Sequence, residues 1–378
     1  MSGRSSKITR RRFAASAAAA ALTAGCAPRG SIFVDPASAK TGNVRDILVA
    51  TTREPTDDGR VLSGSRASTL RFYDFAVSVP PDRETGTVRF PTSAPPDPQT
   101  DFLTVRARQL GGPAAFRREI NARAAIRAPK DREAVAFVHG FNTNFAEGLY
   151  RHAQISHDFR NRAISVHFSW PSAAHVSAYA YDRESVLVSR DGLAATLDET
   201  ARSSVPRIVV MAHSMGAHLT METLRQMAIR GAPQFFGKLA AIVLMAPDVD
   251  VDVFRSQVGA LGDIDVPIYI FVSNRDRALQ FSSLLRGRRQ RLGSVTDAGS
   301  LSDLPVAVID ISRVGARSDP LQHFKVASSP TMIDLFSGMG TAGLDMLQGG
   351  ETPSGILGSG IEILQTLAGA VPGVSSPN

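Results

Sequence analysis

Two rhythms of apolar and polar positions divide the chain. Beyond Lys130, near-continuous apolar runs recur at residues 134–139, 163–168, 207–212, 240–246, 268–273 and 306–311, with helix-length segments between most neighbours. A strand that is apolar along its whole length is covered on both sides. The pattern therefore predicts an α/β fold, a mostly parallel central sheet with helices on both faces. Before Lys130 the rhythm changes. Residues 47–51 read as a short strand followed by polar turn material to Arg66. Residues 72–79 alternate and stop at Pro80-Pro81, as an antiparallel edge strand does. A Pro-rich connection at 91–98 and a polar, Arg-rich helical segment at 116–126 follow. These elements predict an N-terminal accessory layer, residues 46–130, on a core at residues 131–335.

In such sheets chemistry gathers at the carboxyl ends of the strands. The run at 207–212 leads through Ala212-His213-Ser214-Met215-Gly216 and resumes at helical spacing. That outlines strand, tight turn and helix with a serine at the corner, AxSxG where GxSxG is commoner. A strained turn that projects a hydroxyl beside a base makes a nucleophile of it, and small flanking residues let strand and helix approach. The bland alternative is any strand-to-helix junction that carries a serine.

The run at 134–139 leads into His139-Gly140-Phe141-Asn142-Thr143-Asn144. Acyl transfer develops negative charge on a carbonyl oxygen, and backbone amides can meet it without reorganising. Phe141 and Met215, the residue after the serine, are the candidate donors. Asn142 either braces this loop or donates from its side chain. Alone, His139 reads as a core histidine on a glycine turn. The run at 268–273 leads to Asn274-Arg275-Asp276-Arg277. Asp276 fits the carboxylate that orients a catalytic histidine and equally fits a helix cap. Asp248, after Ala246-Pro247, is the rival acid; chain order and strand position favour Asp276. Asp248, Asp250 and Asp252 alternate like calcium ligands but lack the glycine and distal glutamate of such a loop, so no metal is expected. Of eight histidines only His323 lies downstream of either acid, which makes it the single base for a triad ordered Ser, Asp, His. His213 and His218 flank the serine without that place in the order. His152, His157, His167 and His175 read as packed or solvent-facing.

With 378 residues, 43% of them hydrophobic, the chain can bury one large core. Its net charge of +7 looks like an affinity for nucleic acid, but Arg4, Lys7, Arg10, Arg11 and Arg12 carry five of those charges ahead of Cys26, leaving +2. A mildly basic domain needs no nucleic-acid partner. The adjacent arginines and the Ala-rich run to Ala24 resemble a twin-arginine export signal over residues 1–26, too short to span a bilayer. They predict an exported bacterial protein, periplasmic or anchored as a lipoprotein. Leu22-Thr23-Ala24-Gly25-Cys26 resembles a lipoprotein box with Leu22 one position early. Membrane association through a lipid on Cys26 and plain cleavage nearby both stay open. Cys26 is the only cysteine, which excludes an intramolecular disulfide. Residues 27–45 read as a linker and residues 336–378 as a Gly-rich tail. Arg275, Arg277, Arg286, Arg288, Arg289 and Arg291 read either as attraction for an anionic substrate or as solvated charges closing a helix.

HGFNT at 139–143, SWPS at 169–172, AHSMGAH at 212–218, MAPDVD at 245–250, SNRDRAL at 273–279 and the late His323 form a set. With VATTREP at 49–55 and VSVPPDRETG at 77–86, the set resembles a bacterial α/β-hydrolase family of esterase or lipase type, catalogued as a domain of unknown function. The resemblance spans residues 46–335. It implies the α/β-hydrolase fold, the triad Ser214, Asp276 and His323, and no cofactor; it implies no particular substrate. Where many relatives insert a lid, residues 248–266 leave room only for a short helix and a turn. An open site is expected, shaded by the N-terminal layer and the 170–181 loop. The functional expectation is an exported serine hydrolase acting on a small carboxylic ester through an acyl-enzyme. The rival is a catalytically silent envelope protein that uses the fold as a binding scaffold.

Overall fold

A computed structural model describes residues 29–57, 62–91, 94–262, 266–285, 290–295, 298–315, 322–337 and 361–365. Its strands are β1 (Asn43–Pro55), β2 (Leu62–Val79), β3 (Leu103–Leu110), β4 (Glu133–Val138), β5 (Ile164–Ser169), β6 (Arg207–His213), β7 (Leu239–Met245), β8 (Ile268–Val272), β9 (Val306–Asp310) and β10 (Glu362–Gln365). They form one sheet in the order β10-β9-β8-β7-β6-β4-β5-β1-β2-β3. The six apolar runs are the parallel strands β4 to β9, as their composition predicts.

Side chains along a strand alternate in direction, so each inner strand feeds two cores. In β6, Ile208, Val210 and Ala212 enter one cluster while Val209 and Met211 enter the other. The first cluster is covered by α1 (Pro113–Ala125), α3 (Tyr179–Ala201), α4 (Met215–Arg230) and α6 (Val251–Leu261), through residues such as Phe116, Leu193, Met221 and Phe254. On the other face lie α2 (Phe145–Asp158) and the short α8 (Lys325–Ser328) and α9 (Pro330–Phe336), through Ile155, Val326 and Met332. Two more short helices, α5 (Pro233–Phe236) and α7 (Arg277–Leu285), complete the connections. Burying one such Leu or Phe contributes about 1.5–3 kcal/mol, which is why both faces are closed. Among the described residues no helix is long and apolar enough to cross a membrane.

The N-terminal layer joins the sheet edgewise: β1 runs parallel to β5, and β2 antiparallel to β1. Residues 72–79 differ from expectation. They belong to the longer β2, which is paired on both sides, and β3 is the edge. Pro80 ends the strand without marking an edge, because β3 pairs with β2 on its outer side; α1 and α2 cover its two faces, with Phe72 on Phe116 at 4.8 Å and Phe75 on Phe145 at 5.3 Å. The expected linker is also partly built in. Thr104 N donates to Phe33 O at 2.9 Å and Asp35 N to Thr104 O at 2.8 Å, which covers part of the open β3 edge. Within the tail, β10 adds antiparallel to β9.

Candidate active site

Strand β6 ends at His213 and α4 begins at Met215, so Ser214 alone makes the corner. Its backbone sits at φ 53°, ψ −122°, a conformation that costs a residue bearing a Cβ about 1–3 kcal/mol. The neighbouring strand holds it there. Ser214 N donates to Met245 O at 3.0 Å, and Ser214 O accepts from Asp248 N at 3.1 Å and Ala217 N at 3.0 Å. Close approach requires glycine at two points. A Cβ on Gly216 would lie 2.2 Å from His139 O, and one on Gly140 would lie 2.6 Å from His213 Nδ1 and 2.9 Å from Ser214 Cβ. The 139–144 loop therefore lies directly against the serine.

Asp276 is fully buried after β8, and its two oxygens are divided. Oδ1 accepts from Leu279 N at 2.9 Å, capping α7, while Oδ2 lies 2.6 Å from His323 Nδ1. The aspartate thus caps the helix and meets the histidine at the same time. A carboxylate accepts, so the proton sits on Nδ1 and Nε2 is left as the basic nitrogen. The His323 ring packs on the His213 ring with centroids 4.5 Å apart, and His213 Nε2 donates to His323 O at 3.1 Å. Phe324 closes edge-on against His213 at 4.3 Å. Burial, and then the nearby His323, hold His213 well below the usual imidazole value. His213, the residue before the serine, is thus a neutral ring packed on the histidine. Chain order had set it aside, and only its place beside Ser214 hinted at the role.

Asp248 is engaged elsewhere. It accepts from Tyr179 Oη at 2.8 Å and Ser282 Oγ at 2.9 Å, and its Oδ1 lies 3.2 Å from Arg291 Nε, with Asp248 and Arg291 both buried. Asp250 caps α6 by accepting from Asp252 N at 3.0 Å. The alternating aspartates are therefore an ion pair and a helix cap, and among the described residues no group of three His, Cys, Asp or Glu side chains is arranged to hold a metal. Of the flagged arginines, Arg275 and Arg277 are exposed and Arg291 is the buried partner of Asp248. Arg286, Arg288 and Arg289 lie outside the described residues.

Phe141 sits half-buried with its ring edge-on to Tyr179, the first residue of α3, at 5.3 Å. Asn142, at φ 53°, braces the loop: its Oδ1 and O accept from Arg29 at 3.0 and 2.9 Å. Asn144 then starts α2 with a capping box to Glu147. Thr143 N donates to Ser172 Oγ at 3.2 Å, which donates to Asp182 at 2.6 Å. Met215 N–H belongs to the first turn of α4, where amides have no intrahelical acceptor and the helix dipole favours an anion. Behind the loop the His139 ring stacks on Trp170, centroids 5.0 Å apart at 9°. Burial and the nearby Arg53 push His139 down to about 3. Arg53 is itself fully buried, and burial lowers it to about 9. Sequence reasoning passed over Arg53, and nothing local in β1, which also carries Arg45, Asp46 and Glu54, marks it.

Among curated proteins none matches the chain in sequence. In structure it is similar to the hyperthermophilic esterase from the archaeon Pyrobaculum calidifontis, at 14% identity over 90% of this chain and 93% of that one, with a TM-score of 0.35. The dienelactone hydrolase from Anabaena variabilis is similar at 9% identity over 73% of this chain and 94% of that one, with a TM-score of 0.33. The family described as alpha/beta hydrolase of unknown function (DUF900) matches residues 113–338. That match covers more than half of the chain and spans Ser214, Asp276 and His323, and the chain belongs to this alpha/beta-hydrolase family.

Proposed function

We propose that the protein is an exported serine hydrolase that cleaves a small carboxylic ester through an acyl-enzyme. Ser214 is the nucleophile, His323 the general base and then acid, Asp276 the carboxylate that orients it, and the Phe141 and Met215 amides the oxyanion donors. One observation carries this reading: the His323 ring is held by Asp276 at 2.6 Å on its Nδ1 side and packed against the immediate neighbour of a serine on a strained corner. Ser214 Oγ attacks the ester carbonyl carbon while its proton passes to His323 Nε2. The carbonyl oxygen, now negative, is met by the two amides. His323 returns the proton to the departing alcohol, and water, activated by the same nitrogen, releases the acid and regenerates Ser214. Thioester and amide cleavage would use the same groups, and a panel of p-nitrophenyl esters and matching thioesters separates them.

A fluorophosphonate probe is expected to label Ser214 in the wild type. Labelling is lost in Ser214→Ala and strongly reduced in His323→Ala. A folded wild-type protein that stays unlabelled supports the silent scaffold instead. Export through residues 1–26 belongs to the same proposal, with Cys26, outside the described residues, either lipidated or removed with the signal. Mass spectrometry of the protein from its native membrane fraction distinguishes a lipid-modified Cys26 from a shorter, unmodified amino terminus.

A further inference from the structure

Arg53 lies at the end of β1, upstream of the residues that the family match spans. Its guanidinium is spread over three segments, the start of β2, residues 169–172 and the 139–143 loop. Nε donates to Ser169 Oγ at 2.9 Å, Nη1 to Ser63 O at 3.0 Å and Ser172 O at 3.1 Å, and Nη2 to Thr143 O at 2.9 Å. Nη2 also lies 3.3 Å from His139 Nε2. The imidazole of His139 stands between two carbonyls, with Gly140 O 2.9 Å from Nδ1 and Trp170 O 3.1 Å from Nε2. A neutral ring carries one N–H and can serve only one of them. A guanidinium only donates, so beside Arg53 the Nε2 nitrogen becomes an acceptor and the proton goes to Nδ1, facing Gly140 O. That carbonyl and the Phe141 N–H are opposite ends of one planar trans peptide and point in opposite directions.

We propose that Arg53 is a positioning residue for the oxyanion site: its donation to His139 Nε2 selects the ring tautomer, the Nδ1 proton anchors Gly140 O, and the Phe141 N–H is thereby aimed at the substrate oxygen beside Ser214. The bond from the same guanidinium to Thr143 O fixes the far end of the loop. This inference rests on the hydrolase reading and deepens it, since it assigns the origin of the loop's geometry.

The test uses the full chain carrying 15N-labelled histidine. Ring nitrogen shifts are expected to report Nδ1–H for His139 in the wild type and a shift toward Nε2–H in Arg53→Met. A wild-type Nε2–H tautomer overturns the proposal. Arg53→Met is expected to lower kcat for a p-nitrophenyl ester about 100-fold, the scale of losing one oxyanion donor, with KM within about twofold because ground-state binding is untouched. Arg53→Lys, which can still donate, should recover part of that loss. A folded Arg53→Met with wild-type kcat and an unchanged tautomer also overturns it. If Arg53→Met does not fold, Ser169→Ala keeps the charge but removes the Nε acceptor, and should lower kcat without changing KM; unchanged kcat counts against the proposal. A wild type inert to the fluorophosphonate would end the hydrolase reading, while the tautomer measurement would still decide the link between Arg53 and His139.

Discussion

Asp248 and Asp276 stand at the carboxyl ends of neighbouring strands, β7 and β8, and both are buried. They differ in what shares their oxygens. Asp248 gives both to Tyr179, Ser282 and Arg291, partners fixed within the fold. Asp276 gives one to a helix amide and keeps the other for His323, whose side chain is 16% exposed. The first carboxylate is saturated by structure. The second is shared between a helix end and a partly exposed histidine. At the mouth of a parallel sheet, the partner of the second oxygen decides the role of an acid, and position along the chain does not.

The sharpest way to break this comparison is Asp276→Asn. An amide can present N–H to His323 Nδ1 and reverse the tautomer, so kcat is expected to fall by about 10⁴-fold. The cap to Leu279 survives, so the melting temperature should move little, as a calorimetric scan would register. Asp248→Ala should do the opposite. Leaving Arg291 buried without its partner costs about 3–5 kcal/mol, read from the urea midpoint, while kcat per labelled Ser214 stays within about tenfold of wild type. If Asp248→Ala removes more activity per folded molecule than Asp276→Asn does, the two aspartates have been assigned the wrong way round.

Acid tests the same contrast from the side of the bases. His139, His152, His167 and His213 are buried and held below the usual imidazole value, each with burial as the leading cause. They stay neutral in the fold, whereas the unfolded chain protonates them below about pH 6.5. Below that pH the unfolded state binds more protons. Stability is therefore complete above about pH 6.5 and falls by about 1.4 kcal/mol per pH unit for each such histidine as the solution is acidified. Urea titrations at pH 7 and pH 5 measure the slope; His152→Phe should flatten it by about one proton's worth. The smallest effect is expected for Ser282→Ala. It removes one of several donors to Asp248 and should cost about 1 kcal/mol with fluorophosphonate labelling of Ser214 unchanged.

How much of this was legible in the sequence differs from residue to residue. Unbroken apolar runs signalled β4 to β9 because strands covered on both faces leave no room for polar positions. The corner at Ser214 was legible because a strand, small residues and a helix must follow one another locally. For β2 the same logic misled: Pro80 marks where a strand stops, and whether that strand lies at an edge depends on β3, which pairs with it from more than twenty residues downstream. Asp276 and Asp248 were separable only by chain order and strand position, since the hydrogen bonds that distinguish them come from Tyr179, Ser282, Arg291 and His323 on other segments. His213 and Arg53 were missed for the same reason. Each meets a partner about 85 to 110 residues away, which the local sequence does not reveal.

Periodicity and turn chemistry, which are local, sufficed to specify the parallel sheet, the serine corner and a short list of acids and bases. Only the folded chain decided which acid meets His323, that the ring of His213 beside Ser214 packs on His323, and that a buried arginine from β1 stands behind the loop bearing Phe141. Those outcomes depend on hydrogen bonds made over about 3 Å between groups far apart in sequence. Such bonds form only after the core has brought the strand ends together and excluded the water that would otherwise compete for them.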